Sequence, residues 1–279
     1  MFPLLNQLMQ LQDLILILEE QKATGHTQHL ESLRESIGEM TRKLPKDLRM
    51  TFEKLRNRDR NIVVPISADS GCGACSIKLP RSLVQSVRTG REVIACPNCA
   101  RILYVYENGI RNTRRKPARF ETVKPGIARF SAQGLMIPRL TGTDADAVIE
   151  EMAAAMAAEG FVDRGDRLAE AAMRREALLS TAVDHGLAFP HARGIEGGGL
   201  TLAVGLQPDG VMFDDHREEP VRIVFFMAIP TVASAFYLKL LAGLTETFMS
   251  AAARTALLAA QDEATLWKTL IKLTRKTVK

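Results

Sequence analysis

Leucine and isoleucine recur at alternating steps of four and three from the start of the chain: Leu4, Leu8, Leu11, Ile15 and Leu18. That spacing keeps one face of a helix apolar and is the a/d seam of a coiled coil. A second run, Leu30, Leu33, Ile37, Met40 and Leu44, repeats it. Gly25-His26-Thr27 separates the two, so the pattern predicts a hairpin of antiparallel helices. Pro45 ends or restarts the second helix, and Leu48, Phe52 and Leu55 carry its apolar face onward. The run Leu14 to Leu18 is far shorter than the roughly 20 apolar residues of a bilayer span, so it belongs to a core and no membrane span is expected.

Beyond this helical start the period changes. Ile62 to Ile66, Glu92 to Ala95 and Ile102 to Tyr106 read as short strands. Farther on, Asp144 to Gly160 is an amphipathic helix, with Ala147, Val148, Met152, Ala155 and Met156 at helical spacing, and a second helix runs from about Asp166 to Leu179. Two strands follow, Leu200 to Leu206 and Val221 to Ile229, joined by a polar loop that ends Glu218-Glu219-Pro220. Helices near Ala235 to Ser250 and Ala264 to Lys276 complete the chain. The order helix, helix, strand, strand, helix predicts a mixed sheet flanked by helices. The fold class expected is multidomain α/β: a helical hairpin over 1–60, a small cysteine-bearing module over 61–108, a basic linker over 109–130 and an α/β domain over 131–279.

Charge sharpens these divisions. The net +5 conceals +9 in residues 1–130 (22 Lys and Arg, 13 Asp and Glu) and −4 in residues 131–279 (15 and 19). The basic excess gathers at Arg111, Arg114, Arg115, Lys116, Arg119 and Lys124, opposed by Glu121 alone. With Pro117, Pro125 and Gly126 in the same stretch, the composition predicts an exposed, partly mobile connector. Such an arm can contact nucleic-acid phosphates, or be a solvated tether held extended by its own charge. Stacking candidates are few: Tyr104, Tyr106 and Phe120.

All four cysteines fall in two C-x-x-C pairs, Cys72-Gly73-Ala74-Cys75 and Cys96-Pro97-Asn98-Cys99, with twenty residues between. This is zinc-ribbon spacing. Each pair makes a knuckle, with Gly73 and Pro97 supplying its geometry, and an intervening hairpin brings the knuckles around one tetrahedral ion. Two redox pairs or four unrelated thiols are the alternatives, but the start of the chain reads as coiled coil and not as a signal peptide. Four thiolates fill every coordination position, so Cys72, Cys75, Cys96 and Cys99 predict one structural zinc ion. The pair His26 and His29 reads as polar filler of a turn.

Histidine supplies the other candidate chemistry. In Gly186-Leu187-Ala188-Phe189-Pro190-His191-Ala192-Arg193, apolar and small residues lead to a Pro-fixed turn, where the strand should end and present His191 at a surface. Imidazole titrates near neutrality and can act as a nucleophile without a strong base beside it. The octapeptide by itself leaves a structural turn histidine open. His185 and His216 read as loop residues.

Two resemblances bear on these candidates. Residues from about 131 to 279 resemble the IIA domain of the fructose–mannitol–nitrogen class of the bacterial phosphotransferase system. The residues that carry the likeness are Arg175-Glu176, Leu179-Ser180-Thr181, the run from Gly186 to His191, Pro220 to Phe226, and Tyr237-Leu238-Lys239-Leu240-Leu241. The resemblance implies that His191 accepts a phosphoryl group from the phosphocarrier HPr or its nitrogen-branch counterpart, with Arg175 near the imidazole; Arg193 is a second candidate cation. Tyr237 stands where the family usually has a second histidine. Its hydroxyl can donate to a phosphate oxygen but carries no positive charge near pH 7. Residues of about 30 to 106 resemble four-cysteine ribbon proteins with an N-terminal coiled coil, through Leu44-Pro45-Lys46-Asp47-Leu48, Phe52 to Arg56, the knuckles, Leu79-Pro80 and Arg101 to Tyr104.

Together these imply a cytoplasmic phosphohistidine carrier or regulator that signals through its ribbon and coiled coil to a protein target the sequence does not identify. No IIB or membrane IIC segment is matched, which favours regulation over sugar transport. A non-catalytic adaptor with a degenerate IIA fold, encouraged by Tyr237, and a nucleic-acid-associated ribbon protein are the alternatives. The coiled coil pairs within one chain or, as a homo-oligomer, between two.

Overall fold

The computed structural model describes residues 3–25, 29–58, 61–105, 109–113, 125–214 and 219–279. His26, Tyr106, Arg114, Arg115, Lys116, Pro117, Arg119, Phe120, Glu121, Lys124 and His216 lie outside them. The chain forms two compact units, Met1–Gly109 and Ile110–Lys279. Among the described residues no helix is long and apolar enough to cross a membrane.

In the first unit, α1 (Pro3–Thr24) packs along α2 (Leu30–Lys43), and α3 (Lys46–Arg58) follows Pro45. The seam residues Leu8, Leu11, Ile15 and Leu18 are buried, but so are Leu16, Ile17 and Gln21, so α1 is covered on more than one narrow stripe. Phe52 and Leu55 are the buried face of α3. Gln12 fastens α1 to the strand β1 (Val63–Ile66): its Oε1 accepts from the N–H groups of Ile62 (2.6 Å) and Val63 (2.7 Å), and its Nε2 donates to the Val63 carbonyl (3.1 Å). One side chain thus satisfies three backbone groups on a strand edge.

The segment between the cysteine pairs is not the expected hairpin. It holds helix α4 (Arg81–Thr89), whose Val84 and Val87 pack with Val64, Ile66, Leu79 and Leu103 in one core. Gly90, in the left-handed region at φ +60°, closes the helix. Because a helix crosses over between them, β1 and β2 (Ile102–Val105) pair in parallel, Val63 opposite Ile102.

The second unit is a mixed sheet with helices. Its strands are β3 (Met136–Ile137), β4 (Ala182–Val183), β5 (Leu187–Ala188), β6 (His191–Ile195), β7 (Thr201–Val211) and β8 (Val221–Pro230), and five strands run in the order β3-β7-β8-β5-β4. β7 and β8 form the antiparallel centre, while β5 and β6 lie one after the other, both parallel to β8. The helices are α5 (Ala145–Ala158), α6 (Gly165–Glu176), α7 (Ser234–Phe248), α8 (Ala251–Leu258) and α9 (Glu263–Thr274). Asp144, Ser250 and Asp262 cap α5, α8 and α9, each side chain accepting a backbone N–H three residues on. Met152 and Met156 of α5, and Val224 to Met227 of β8, are fully buried.

Both described ends of the stretch expected as a linker are bonded into this second unit. The Asn112 N–H donates to the Glu196 carbonyl (2.8 Å), and its side-chain amide donates to the Gly199 carbonyl (2.9 Å) and the Thr201 hydroxyl (3.0 Å). Gly198 leaves the room that this amide fills. At the other end Ile127 and Phe130 are buried, and Leu202 N–H donates to the Phe130 carbonyl (2.7 Å).

Candidate functional site

The cysteine centre is built by two knuckles of matching geometry. In the first, Ser76 N–H donates to the Cys72 carbonyl (2.8 Å); in the second, Ala100 N–H donates to the Cys96 carbonyl (2.9 Å). Ser76 and Ala100 both take left-handed backbone, φ +59° and +61°, which folds each loop back on itself. That turn, and not the residue after each first cysteine, sets the curvature. Gly73 serves a different need: a Cβ there would stand 2.5 Å from the Pro65 carbonyl oxygen.

Cys72, Cys75, Cys96 and Cys99 place their Sγ atoms within 4.8 Å of one another, with Cys72–Cys99 at 3.7 Å and Cys75–Cys96 at 3.8 Å. Four sulfurs each about 2.3 Å from a central ion in a tetrahedron stand about 3.8 Å apart, so a zinc-sized ion fits the cluster as it stands. Burial pushes the Cys72 thiol up to about 12 and raises Cys96 as well, against the Ala74 and Cys75 N–H groups at the first and the Cys99 and Asn98 N–H groups at the second. Burial also opposes ionisation of Cys75, but the Asn98 side chain and the Ile77 N–H outweigh it and hold that thiol down to about 6. Binding of a cation would expel the remaining protons, and the inward N–H groups would then carry the sulfur charge.

The histidine centre is assembled from distant segments. His185 (φ +71°) and Gly186 (φ +68°) turn the chain into β5, and the His185 N–H donates to a Glu219 carboxylate oxygen (3.0 Å). After Ala188 the chain does not leave the sheet at Pro190. The Pro190 carbonyl accepts from the Met227 N–H (3.0 Å), and His191 opens β6 opposite Met227. His191 is therefore a sheet residue, 1% exposed, and not the surface residue that the proline suggested. Phe189 stacks on Phe225 at 5.2 Å between ring centroids, which fixes the residue before Pro190.

The ring of His191 has defined partners. Its Nδ1 is 3.0 Å from the Phe189 carbonyl oxygen and 3.3 Å from the Tyr237 hydroxyl. A carbonyl only accepts, so the shorter bond is made with Nδ1 protonated, and the ring lone pair then lies on Nε2. Tyr237, also 1% exposed, tilts over the imidazole with centroids 5.1 Å apart. The Arg193 guanidinium lies 4.7 Å from the centre of the Tyr237 ring, a cation–π contact. His191 and Arg193 are two residues apart on β6 and share a face of the sheet.

The structure thus brings His191, Tyr237 and Arg193 together. Arg175 is half-buried at the end of α6, where its Nη1 donates to the Leu179 carbonyl (2.7 Å). Its neighbour Glu176 binds the same loop: Oε1 accepts from Ser180 Oγ (2.8 Å) and the Thr181 N–H (2.7 Å), and Oε2 accepts from Thr181 Oγ1 (2.6 Å). The signal for Glu176 in the sequence is local: Glu followed by Ser-Thr at short range is a loop-pinning pattern.

Residues 131–273 match the family model described as phosphoenolpyruvate-dependent sugar phosphotransferase system, EIIA 2, and residues 72–103 match that of a C4-type zinc ribbon domain. The chain is 27% identical over 114 residues to the PTS system fructose-specific EIIA component of Haloferax volcanii, covering 41% of this chain and 74% of that protein. It is 30% identical over 116 residues to the PTS system fructose-specific EIIABC component of Bacillus subtilis, 42% of this chain but only 18% of that protein. Among solved structures, nitrogen regulatory protein IIA-Ntr from Neisseria meningitidis aligns with a TM-score of 0.47 at 21% identity, covering 52% of this chain and 98% of that one. The Escherichia coli mannitol IIA structure aligns with a TM-score of 0.43 at 16% identity, covering 50% and 97%.

Proposed function

Because the chain belongs to the phosphoenolpyruvate-dependent sugar phosphotransferase system EIIA 2 family, we propose that it accepts a phosphoryl group on His191 from an HPr-like phosphocarrier. The observation that carries this reading is the bond from His191 Nδ1 to the Phe189 carbonyl, which leaves the lone pair on Nε2. Nε2 attacks phosphorus, and the bond from phosphorus to the carrier's donor atom breaks and returns its electron pair to that atom. Nδ1 keeps its proton throughout, so the positive charge that attack creates on the ring is steadied by the Phe189 carbonyl. Phosphoryl transfer asks the protein mainly for such positioning and for cations near the equatorial oxygens. Arg193 meets that need from the same strand face; Arg175 is the cation that the family likeness implies. Because His191 is almost fully covered, some of its cover must move for a carrier to reach Nε2.

The amino-terminal unit supports the phosphoryl carrier as a regulatory module, with one structural zinc on Cys72, Cys75, Cys96 and Cys99 stapling the ribbon. A second reading, a non-catalytic adaptor that docks a carrier without accepting its phosphoryl group, is favoured by the cover over His191 and by tyrosine in place of the usual second histidine. Incubating the full chain with the general phosphotransferase enzymes and labelled phosphoenolpyruvate separates the two. Label that disappears in His191→Ala supports the carrier, and a parent protein that takes no label while still binding the phosphocarrier leaves the adaptor.

A further inference from the structure

We propose that Glu176 is a positioning residue for His191, acting through a continuous path of hydrogen bonds that fixes which ring nitrogen carries the proton. The path starts at the carboxylate, which holds Thr181 by its N–H at 2.7 Å and by its hydroxyl at 2.6 Å. The Thr181 carbonyl then accepts from the Phe189 N–H at 3.2 Å, one step beyond the β4–β5 pairing of Ala182 with Ala188. The Phe189 carbonyl in turn accepts from His191 Nδ1 at 3.0 Å.

Three features make this path stiff. Thr181 is only 6% exposed, so water does not readily replace the carboxylate. Glu176 spends both oxygens on the loop, and Arg175 ties the same loop through the Leu179 carbonyl. Phe189 is held by its stack on Phe225, and Pro190 confines it to extended backbone, so with its N–H fixed its carbonyl has one direction left. The choice of histidine tautomer follows from the hydrogen bond made by the other nitrogen. A loop ten to twelve residues upstream therefore governs whether Nε2 presents a lone pair.

This inference rests on the phosphoryl-acceptor reading for its purpose, but its direct readout does not need transfer. Nitrogen-15 correlation spectra of the ring in the full chain report the tautomer. The parent should show the Nδ1–H form. Glu176→Gln, which leaves one carboxyl-type acceptor where two are used, and Thr181→Val, which removes only the hydroxyl bond, should each mix in the Nε2–H form and slow labelling of His191 about tenfold. Thr181→Ser, which keeps the hydroxyl, should restore parent behaviour in both measurements. If Glu176→Gln fails to fold, Thr181→Val carries the same test. Parent-like tautomer in a folded variant overturns the proposal. A shifted tautomer in a protein that takes no label at all upholds Glu176 as the positioning group and removes the acceptor function instead.

Discussion

The cysteine and histidine centres are held by opposite strategies. Each cysteine pair is shaped largely within its own loop, by a left-handed residue and nearby backbone N–H groups. Only the joining of two such loops is long-range, and a metal ion can enforce it. His191 depends on Phe189 beside it, but also on Met227 opposite it in the sheet and on Tyr237, 46 residues away. One centre gathers four sulfurs that can share an ion; the other is held by side chains and strands drawn from across its domain. The first should fail when its ion is taken away, the second when its packing is disturbed.

The largest effect should come from the metal. Chelation, or Cys96→Ser, should unfold residues 61–105 and forfeit a contribution of about 10 kcal/mol, while spectra of residues 125–279 stay native. Atomic emission should find one ion per parent chain, and a ribbon that keeps its chemical shifts after chelation would remove the contrast. Next is Tyr237→Ala, which opens a cavity over His191 and should cost about 3 kcal/mol in denaturant unfolding. It should also expose the imidazole to diethyl pyrocarbonate. Tyr237→Phe should cost under about 1 kcal/mol, because the hydroxyl is 3.3 Å from Nδ1 and most of the cover is ring. Equal losses in the two variants would mean that the hydroxyl carries the site.

A smaller effect distinguishes the arginines. Whichever of Arg193 and Arg175 meets the phosphoryl oxygens should lower the rate of labelling about a hundredfold when changed to Met, and the other should lower it far less. The smallest concerns Asp69, held at about 2 by the Lys78 ammonium 2.7 Å away, with help from the Ser67 hydroxyl. A depressed carboxyl contributes stability above its ordinary value of 3.8, and that contribution is lost as pH falls toward about 2. Asp69→Asn should therefore reduce ribbon stability slightly at neutral pH, and the difference between the two proteins in denaturant unfolding should shrink as the pH falls below 3.8.

What the chain revealed in advance follows the same division. The two cysteine pairs, the apolar spacing from Leu8 to Leu18 and the apolar runs that became β7 and β8 are local patterns, and they led to a four-sulfur cluster, a helix and two strands. The burial of His191 was hidden because Pro190 suggests a strand end, and only pairing with β8 shows that the strand resumes after it. Helix α4 was overlooked because two knuckles imply a hairpin, although Val84 and Val87 already sit at helical spacing. Asn112 gave no sign at all: its partners are 84 to 89 residues away and its neighbours are basic.

That asparagine changes what residues 114–124 connect. Ile110 to Thr113 are already docked before this stretch begins, and Ile127 to Ser131 are docked after it ends, all in the carboxy-terminal unit. The described residues on both sides of 114–124 therefore belong to one unit. A fragment begun at Ile127 would thus lack Asn112 and deprive the Gly199 carbonyl and the Thr201 hydroxyl of that amide donor.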